Sequence, residues 1–264
     1  MDKDAIQLIQ DTAVTAALIP SEAMHIVALP QSASVHDLEK YLPDRRRFRG
    51  KLETTVLDSF VDYVKAGSSA TCFIDTDAMK AVALFNLGTR ENPGHCDDMA
   101  IINLQLTAPM TALRSFNGKL MSQKELAEWM EDWHTHISAA SKDGNEMPLA
   151  KAIAAVRAIT IESASKSEHK DDDFKAARTA MESIEAKSKD GLPAFLHFSC
   201  IPYNGLMQRT FILRISVLTS HEKPVLKYLI TQLEVQQEEM AKEFQGLIQD
   251  KLAGTTIYQG LFTG

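Results

Sequence analysis

Apolar residues along this chain recur with two different periods, and the switches between them predict the elements. Ile6, Ile9, Ala13 and Ala16 return at helical spacing over Ala5–Leu18 and stop before Pro20, which predicts a short amphipathic helix. His25–Leu29 reads as a short strand closed by Pro30. Val56, Leu57, Phe60, Val61 and Val64 form the next helical stripe. Thr54 or Thr55 is its expected cap, because a Thr oxygen accepts from the free N–H groups of a first turn and Asp58 completes a T-x-x-D arrangement. Gly67 is the expected end, at a positive φ. Three β-like runs follow, Ala70–Ile74, Ala81–Leu87 and Met99–Leu106, with Gly88, Pro93 and Gly94 in the longest connection, so a small antiparallel meander is expected.

Farther along, Ser122 and Glu125 have the spacing of a capping box. Leu126, Trp129, Met130, Trp133 and Ile137 continue the helical stripe, predicting a helix from Ser122 to about Ser138 that carries both tryptophans. Ala150–Ala158 reads as helix and Ile159–Glu162 as strand, while Ser163–Asp173 is the least apolar window and is expected to be an exposed loop. Phe174–Ser188 is taken as helix by propensity. Phe195–Ile201 and Thr210–Leu218 alternate with period two and form a strand pair around the turn residues Tyr203-Asn204-Gly205; Val225–Ile230 is a third strand, after the turn His221–Pro224. Leu233, Met240, Phe244, Leu247 and Ile248 line one side of a final helix. Its narrow seam could meet a partner helix, but a helix lying on its own sheet is the favoured reading.

Strands and helices interleave without the repeated βαβ order of a doubly wound sheet. The expected class is therefore α+β, mixed antiparallel sheets with packed helices, in two lobes. The turn-rich stretch Lys142–Pro148 is the expected boundary, giving an N-terminal lobe at 1–142 and a C-terminal lobe at 148–264.

Composition narrows the function classes. The chain has 264 residues, with 28 Lys+Arg against 35 Asp+Glu for a formal charge of -7; that acidity argues against nonspecific duplex DNA binding, which draws its affinity from clustered cations. Three separated cysteines, Cys72, Cys96 and Cys200, make neither a disulfide framework nor a thiolate zinc site. The acidic start Met1-Asp2-Lys3-Asp4 is unlike a secretory signal, and no apolar run has the ~20 residues of a membrane span. A cytoplasmic protein without a cofactor is expected.

Candidate chemistry concentrates in a few places. Arg45, Arg46, Arg47, Arg49 and Lys51 form a cationic run around Phe48. Guanidinium groups chelate phosphate and an aromatic ring stacks on a base, so the run could hold a nucleotide or a single-stranded nucleic acid; pairing with the chain's own acids across an interface is the favoured alternative. His95, Asp97 and Asp98, with Cys96, form a second cluster that could ligate a metal, although a solvated loop before a strand is the more ordinary outcome. His134 and His136 would share a metal only on a strand, and helical periodicity disfavours that. Asp75 and Asp77 could reach Mg2+ from a strand end, or simply be solvated beside a turn. No phosphate-loop, dinucleotide or nucleophile-elbow motif supports an enzyme.

The order of several strings is familiar. Asp37-Leu38-Glu39-Lys40, Arg45-Arg46-Arg47-Phe48-Arg49-Gly50, Asp58-Ser59-Phe60 and Met121–Glu131 together resemble the YfdQ-like family of phage and prophage proteins of unknown function. The resemblance implies a bacterial-host cytoplasm and an accessory role, and brings no catalytic residues. The expected function is thus non-enzymatic: a self-assembling homo-oligomer that acts by binding, in early-region DNA metabolism or host-defence interference. The rival expectation is a metal-dependent nucleotide or nucleic-acid processing enzyme built on His95, Asp97 and Asp98.

Overall fold

A computed structural model describes residues 3–17, 39–67, 69–141, 144–159, 192–218 and 225–263. The chain divides into two compact units, Met1–Phe48 and Arg49–Gly264. The first contains helix α1 (Lys3–Ala17), as its apolar spacing predicts, and a 3-10 turn at Glu39–Tyr41.

The second unit is α+β. A five-stranded sheet takes β1 (Gly50–Thr54), β2 (Thr71–Asp75), β3 (Lys80–Leu84), β4 (Asp98–Asn103) and β11 (Thr256–Gln259) in the order β1-β4-β3-β2-β11. The expected meander β2-β3-β4 is antiparallel, and the two flanking strands pair parallel, β1 on β4 and β11 on β2. Period-two alternation sends Cys72, Ile74, Ala81, Ala83, Ala100 and Ile102 to one face. Small alanines there leave room for the larger side chains of α2 (Leu57–Ala66) and of α6 (Leu233–Lys251), whose Met240, Phe244 and Ile248 are buried at four-residue spacing. The final helix therefore lies on its own sheet.

An antiparallel sheet of six strands forms the rest: β5 (Met121–Ser122), β6 (Ile137–Ala140), β7 (Glu146–Met147), β8 (Phe195–Cys200), β9 (Arg209–Leu218) and β10 (Val225–Ile230), in the order β5-β10-β9-β8-β6-β7. Its inner face, with Leu196, Phe198, Phe211, Leu213, Ile215, Leu226 and Tyr228, packs in one core with α3 (Ala108–Ser115), α4 (Gln123–Asp132) and α5 (Leu149–Arg157). The buried Tyr228 hydroxyl donates to the Leu113 carbonyl at 2.8 Å, fastening the sheet to α3. Within the stretch 142–148, Glu146–Met147 is itself strand β7 and pairs with β6, so strands from both sides of the expected boundary share one set of hydrogen bonds.

Several local expectations change. The capping box at Ser122 and Glu125 forms in both directions, but α4 stops at Asp132. The Trp133 N–H closes on Trp129, a tight turn follows, and Ile137 opens β6; its helical phase coincides with an inward position on a strand. Helix α2 starts at Leu57 behind Val56 with no side-chain cap, because Thr54 ends β1 and accepts from the Val56 N–H. Gly67 has φ -74, and glycine is needed there for space: a Cβ would lie 2.3 Å from the Phe85 ring. Gly205 does take the left-handed turn position, at φ +100. Strand β1 and helix α3 were not foreseen. His25–Leu29, residues 160–162 of the expected strand Ile159–Glu162, the loop Ser163–Asp173, Phe174–Ser188 and the turn His221–Pro224 lie outside the described residues.

One ionic contact joins the two sheets' layers. Arg209 at the start of β9 reaches Glu239 at 2.7 Å and Glu243 at 2.9 Å on α6, and Glu243 also accepts the Met207 N–H at 2.6 Å. The Arg209 and Glu243 side chains are only 15% and 10% exposed, so removing one partner strands the other charge away from water. Arg209→Met is expected to lower stability by about 3 kcal/mol in urea unfolding followed by tryptophan fluorescence.

Candidate functional site

Two of the clusters legible in the sequence become neighbours. The parallel pairing of β1 with β4 sets Gly50 opposite Asp98 and Lys51 opposite Met99, so the C-terminal end of the cationic run lies along the end of the His95–Asp98 loop. The Gly50 N–H donates to the Asp97 carbonyl at 3.0 Å. Asn86 ties the acidic pair: its amide donates to the Asp97 carboxylate at 2.8 Å and its carbonyl accepts the Asp98 N–H at 3.1 Å. One oxygen of Asp98 is buried without a hydrogen-bond partner, and burial, then the neighbouring Asp97 charge, raises its pKa above the ordinary carboxylate value. The loop is held tightly, since a Cβ on Gly94 would come 1.8 Å from the Asn86 carbonyl oxygen.

His95 is exposed, Cys96 sits at φ +54, and among the described residues no three His, Cys, Asp or Glu side chains converge as ligands. The cationic run is divided between the two units. Arg45, Arg46 and Arg47 belong to the first unit, Arg49 and Lys51 to the second. Lys51 pairs with Glu53 at 2.7 Å, and Arg45, Arg47 and Arg49 each engage other groups of the chain.

The other candidates separate too. His134 meets the Glu131 carbonyl at 2.9 Å, while His136 meets the Ser199 carbonyl at 2.8 Å and stacks on Phe198 with ring centroids 5.5 Å apart. Asp75 accepts the Ala78 N–H and closes the β2–β3 turn, whereas Asp77 lines a cleft of about 590 Å³ against α6. That cleft mixes Asp77, Glu234 and Glu238 with Arg114 and Lys242, so neither sign of charge dominates it. Burial pushes the Cys72 thiol up to about 12 and Cys200 to about 11, which removes both as nucleophiles near neutral pH.

The distinctive surfaces are the outer faces of the two sheets, on which no described helix packs. On the first sheet, alternation brings out Phe73, Val82, Met99, Ile101 and Tyr258. Phe73 stacks with Tyr258 at 5.6 Å and with Phe262 at 4.7 Å, and Tyr258 is 55% exposed. The charges on this face are balanced, Lys51 with Glu53 and Lys80 opposite Asp75. On the second sheet the outer face carries Phe195, His197, Ile212, Arg214, Ser216 and Lys227.

A protein-family model described as "Uncharacterized conserved protein (DUF2303)" matches residues 2–262. The chain belongs to the DUF2303 family. No curated protein and no solved structure matches it. Among the described residues of this DUF2303 chain, no helix is long and apolar enough to cross a membrane. Neither outer face is legible as a local motif in the sequence, because each forms only when distant strands pair; the signal available was the period-two alternation of each strand taken separately.

The Asp98 shift fixes a sign. Its raised folded-state pKa means that the folded state binds more protons than the unfolded state just above the ordinary value of 3.8, so this carboxyl makes stability fall as pH rises through that window. Urea midpoints across the carboxylate range are expected to show Asp98→Asn gaining on the parent as pH rises; a difference that stays constant contradicts the assignment.

Proposed function

We propose that this DUF2303 protein is a non-enzymatic binding protein that self-assembles through the outer face of its first sheet. The observation that carries the reading is the apolar row Tyr258, Phe73, Val82 and Ile101, which runs across four adjacent strands. A one-face-packed sheet normally turns polar residues to water, and a contiguous apolar face with stacked aromatic rings instead suits burial against another surface. The occupant proposed is a second copy of the chain. Charges of both signs flank the row, Lys51 and Glu53 at one edge and Lys80 and Asp75 along one side, so a twofold arrangement can set each sign against its opposite. Two such faces would pack as aligned sheets about 10 Å apart.

The setting proposed for this assembly is the one that the resemblance to YfdQ-like proteins implies: a phage or prophage accessory protein in the bacterial cytoplasm, acting by binding in early-region DNA metabolism or in interference with host defence. The Lys51–Glu53 pair supports ion pairing as the role of that end of the cationic run. No observation favours the metal-dependent enzyme.

Light scattering at micromolar concentration is expected to give twice the chain mass or a multiple of it. Introducing a charge into the row with Phe73→Glu or Tyr258→Glu, both at partly or largely exposed positions, is expected to return the monomer with unchanged circular dichroism. A parent protein that remains monomeric throughout the micromolar range defeats the proposal.

A further inference from the structure

The outer face of the second sheet differs in chemistry from the first, and its arrangement follows from strand register. Lys227 on β10 lies opposite Ser216 on β9, and His197 on β8 lies opposite Ile212. Arg214 sits between Ser216 and Ile212 on the same face of β9, so Lys227, Arg214 and His197 fall on one diagonal across three strands. Neighbouring members are about 8 Å apart, from ~4.8 Å between strands and ~6.8 Å along two residues. Phe195 and Leu229 flank Arg214 at its own level on either side.

Charge on this face is one-sided. No carboxylate stands on the outer face of β8, β9 or β10; the nearest on that face by register is Glu146 on the edge strand β7, three strands or about 14 Å from Arg214. Among the described residues neither Arg214 nor Lys227 has an acidic partner, and Arg214 is exposed. In a chain with a net charge of -7, Arg214 and Lys227 thus have no acidic partner among the described residues, and they stand with His197 beside the hydroxyls of Ser216 and of the bonded pair Ser199 and Thr210.

We propose that this face binds single-stranded nucleic acid, with its phosphates on the Lys227–Arg214–His197 diagonal and a base against Phe195. A flat sheet with cations in line and an adjacent ring suits a flexible backbone whose bases are free to stack. An acidic peptide would share the attraction to cations but has no planar base for Phe195. The inference rests on the binding half of the function proposed above and not on its assembly half, because the two use opposite sheets.

Fluorescence anisotropy with a labelled oligothymidylate of about 12 nucleotides provides the test. Binding is expected to weaken with salt at a log–log slope of about -1.4, that is ~0.7 for each of two phosphates neutralised by the fixed cations. The double variant Arg214→Gln with Lys227→Gln is expected to weaken binding roughly tenfold or more and to flatten that slope. Ile212→Glu, at a position 43% exposed between His197 and Arg214, is expected to weaken binding as well, which keeps the test decisive if the double variant fails to fold. No binding at low salt overturns the proposal. So does binding that survives both variants, binding lost instead on changing Arg45, Arg46 and Arg47 to Gln, or polyglutamate binding as tightly as the oligonucleotide. Light scattering of the same samples separates the two readings: a dimer that ignores the oligonucleotide sinks this inference alone, and a monomer that binds it sinks only the assembly.

Discussion

One guanidinium ties the second sheet to the helix that covers the first. Arg209 leaves the first residue of β9 and meets two carboxylates of α6, one of them nearly buried. Charges in such a place persist only when each is paired, and here the pairing fixes where α6 crosses relative to the second sheet. The chain then has little freedom. It leaves β10 through Gln232 in the left-handed region, runs along α6 over the first sheet, and returns as β11 against β2. The second sheet therefore contributes the helix that seals the first sheet's core and leads into its edge strand.

The two outer faces follow from that economy. Helices α2 and α6 cover one side of the first sheet, and α3, α4 and α5 cover one side of the second. Among the described residues no helix packs on the other side of either sheet, and period-two alternation decides what it carries. The first sheet turns out aromatic and aliphatic residues with matched charges. The second turns out hydroxyls and nitrogen donors among Phe195, Ile212 and Leu229, with acid only at its far edge. One framework thus presents two surfaces that differ in their charge. The one sizeable cleft described, with its mixed charges, has no such consistent character.

Some local signals in the sequence are legible directly. The Ser122–Glu125 capping box, the α6 stripe and the alternation of β9 each depend on residues within a turn or two, and each is where the pattern places it. Strand β1 was hidden because Gly-Lys-Leu-Glu-Thr has one large apolar residue, enough for an edge strand but too little to announce one. Helix α3 could have been found from Thr107 as cap and Pro109 in the first turn. Nothing near Gly67 reveals that its space is taken by Phe85, a residue of another segment. The site suffers from the same limit. Phe73 and Tyr258 are far apart in sequence and meet only through the β2–β11 pairing, while the cationic run, continuous in sequence, is divided between two units.

If α6 and the Arg209 contact make the two sheets one cooperative structure, their cores must open together. Cys72 is buried in the first core and Cys200 in the second, so each thiol reports on its own sheet. Pulsed alkylation of the two cysteines across a guanidinium titration, read peptide by peptide by mass spectrometry, measures both openings in one sample. The account predicts a single shared midpoint for Cys72 and Cys200. Two separate midpoints would contradict it, and would mean that α6 rests on the first sheet without binding the second to it.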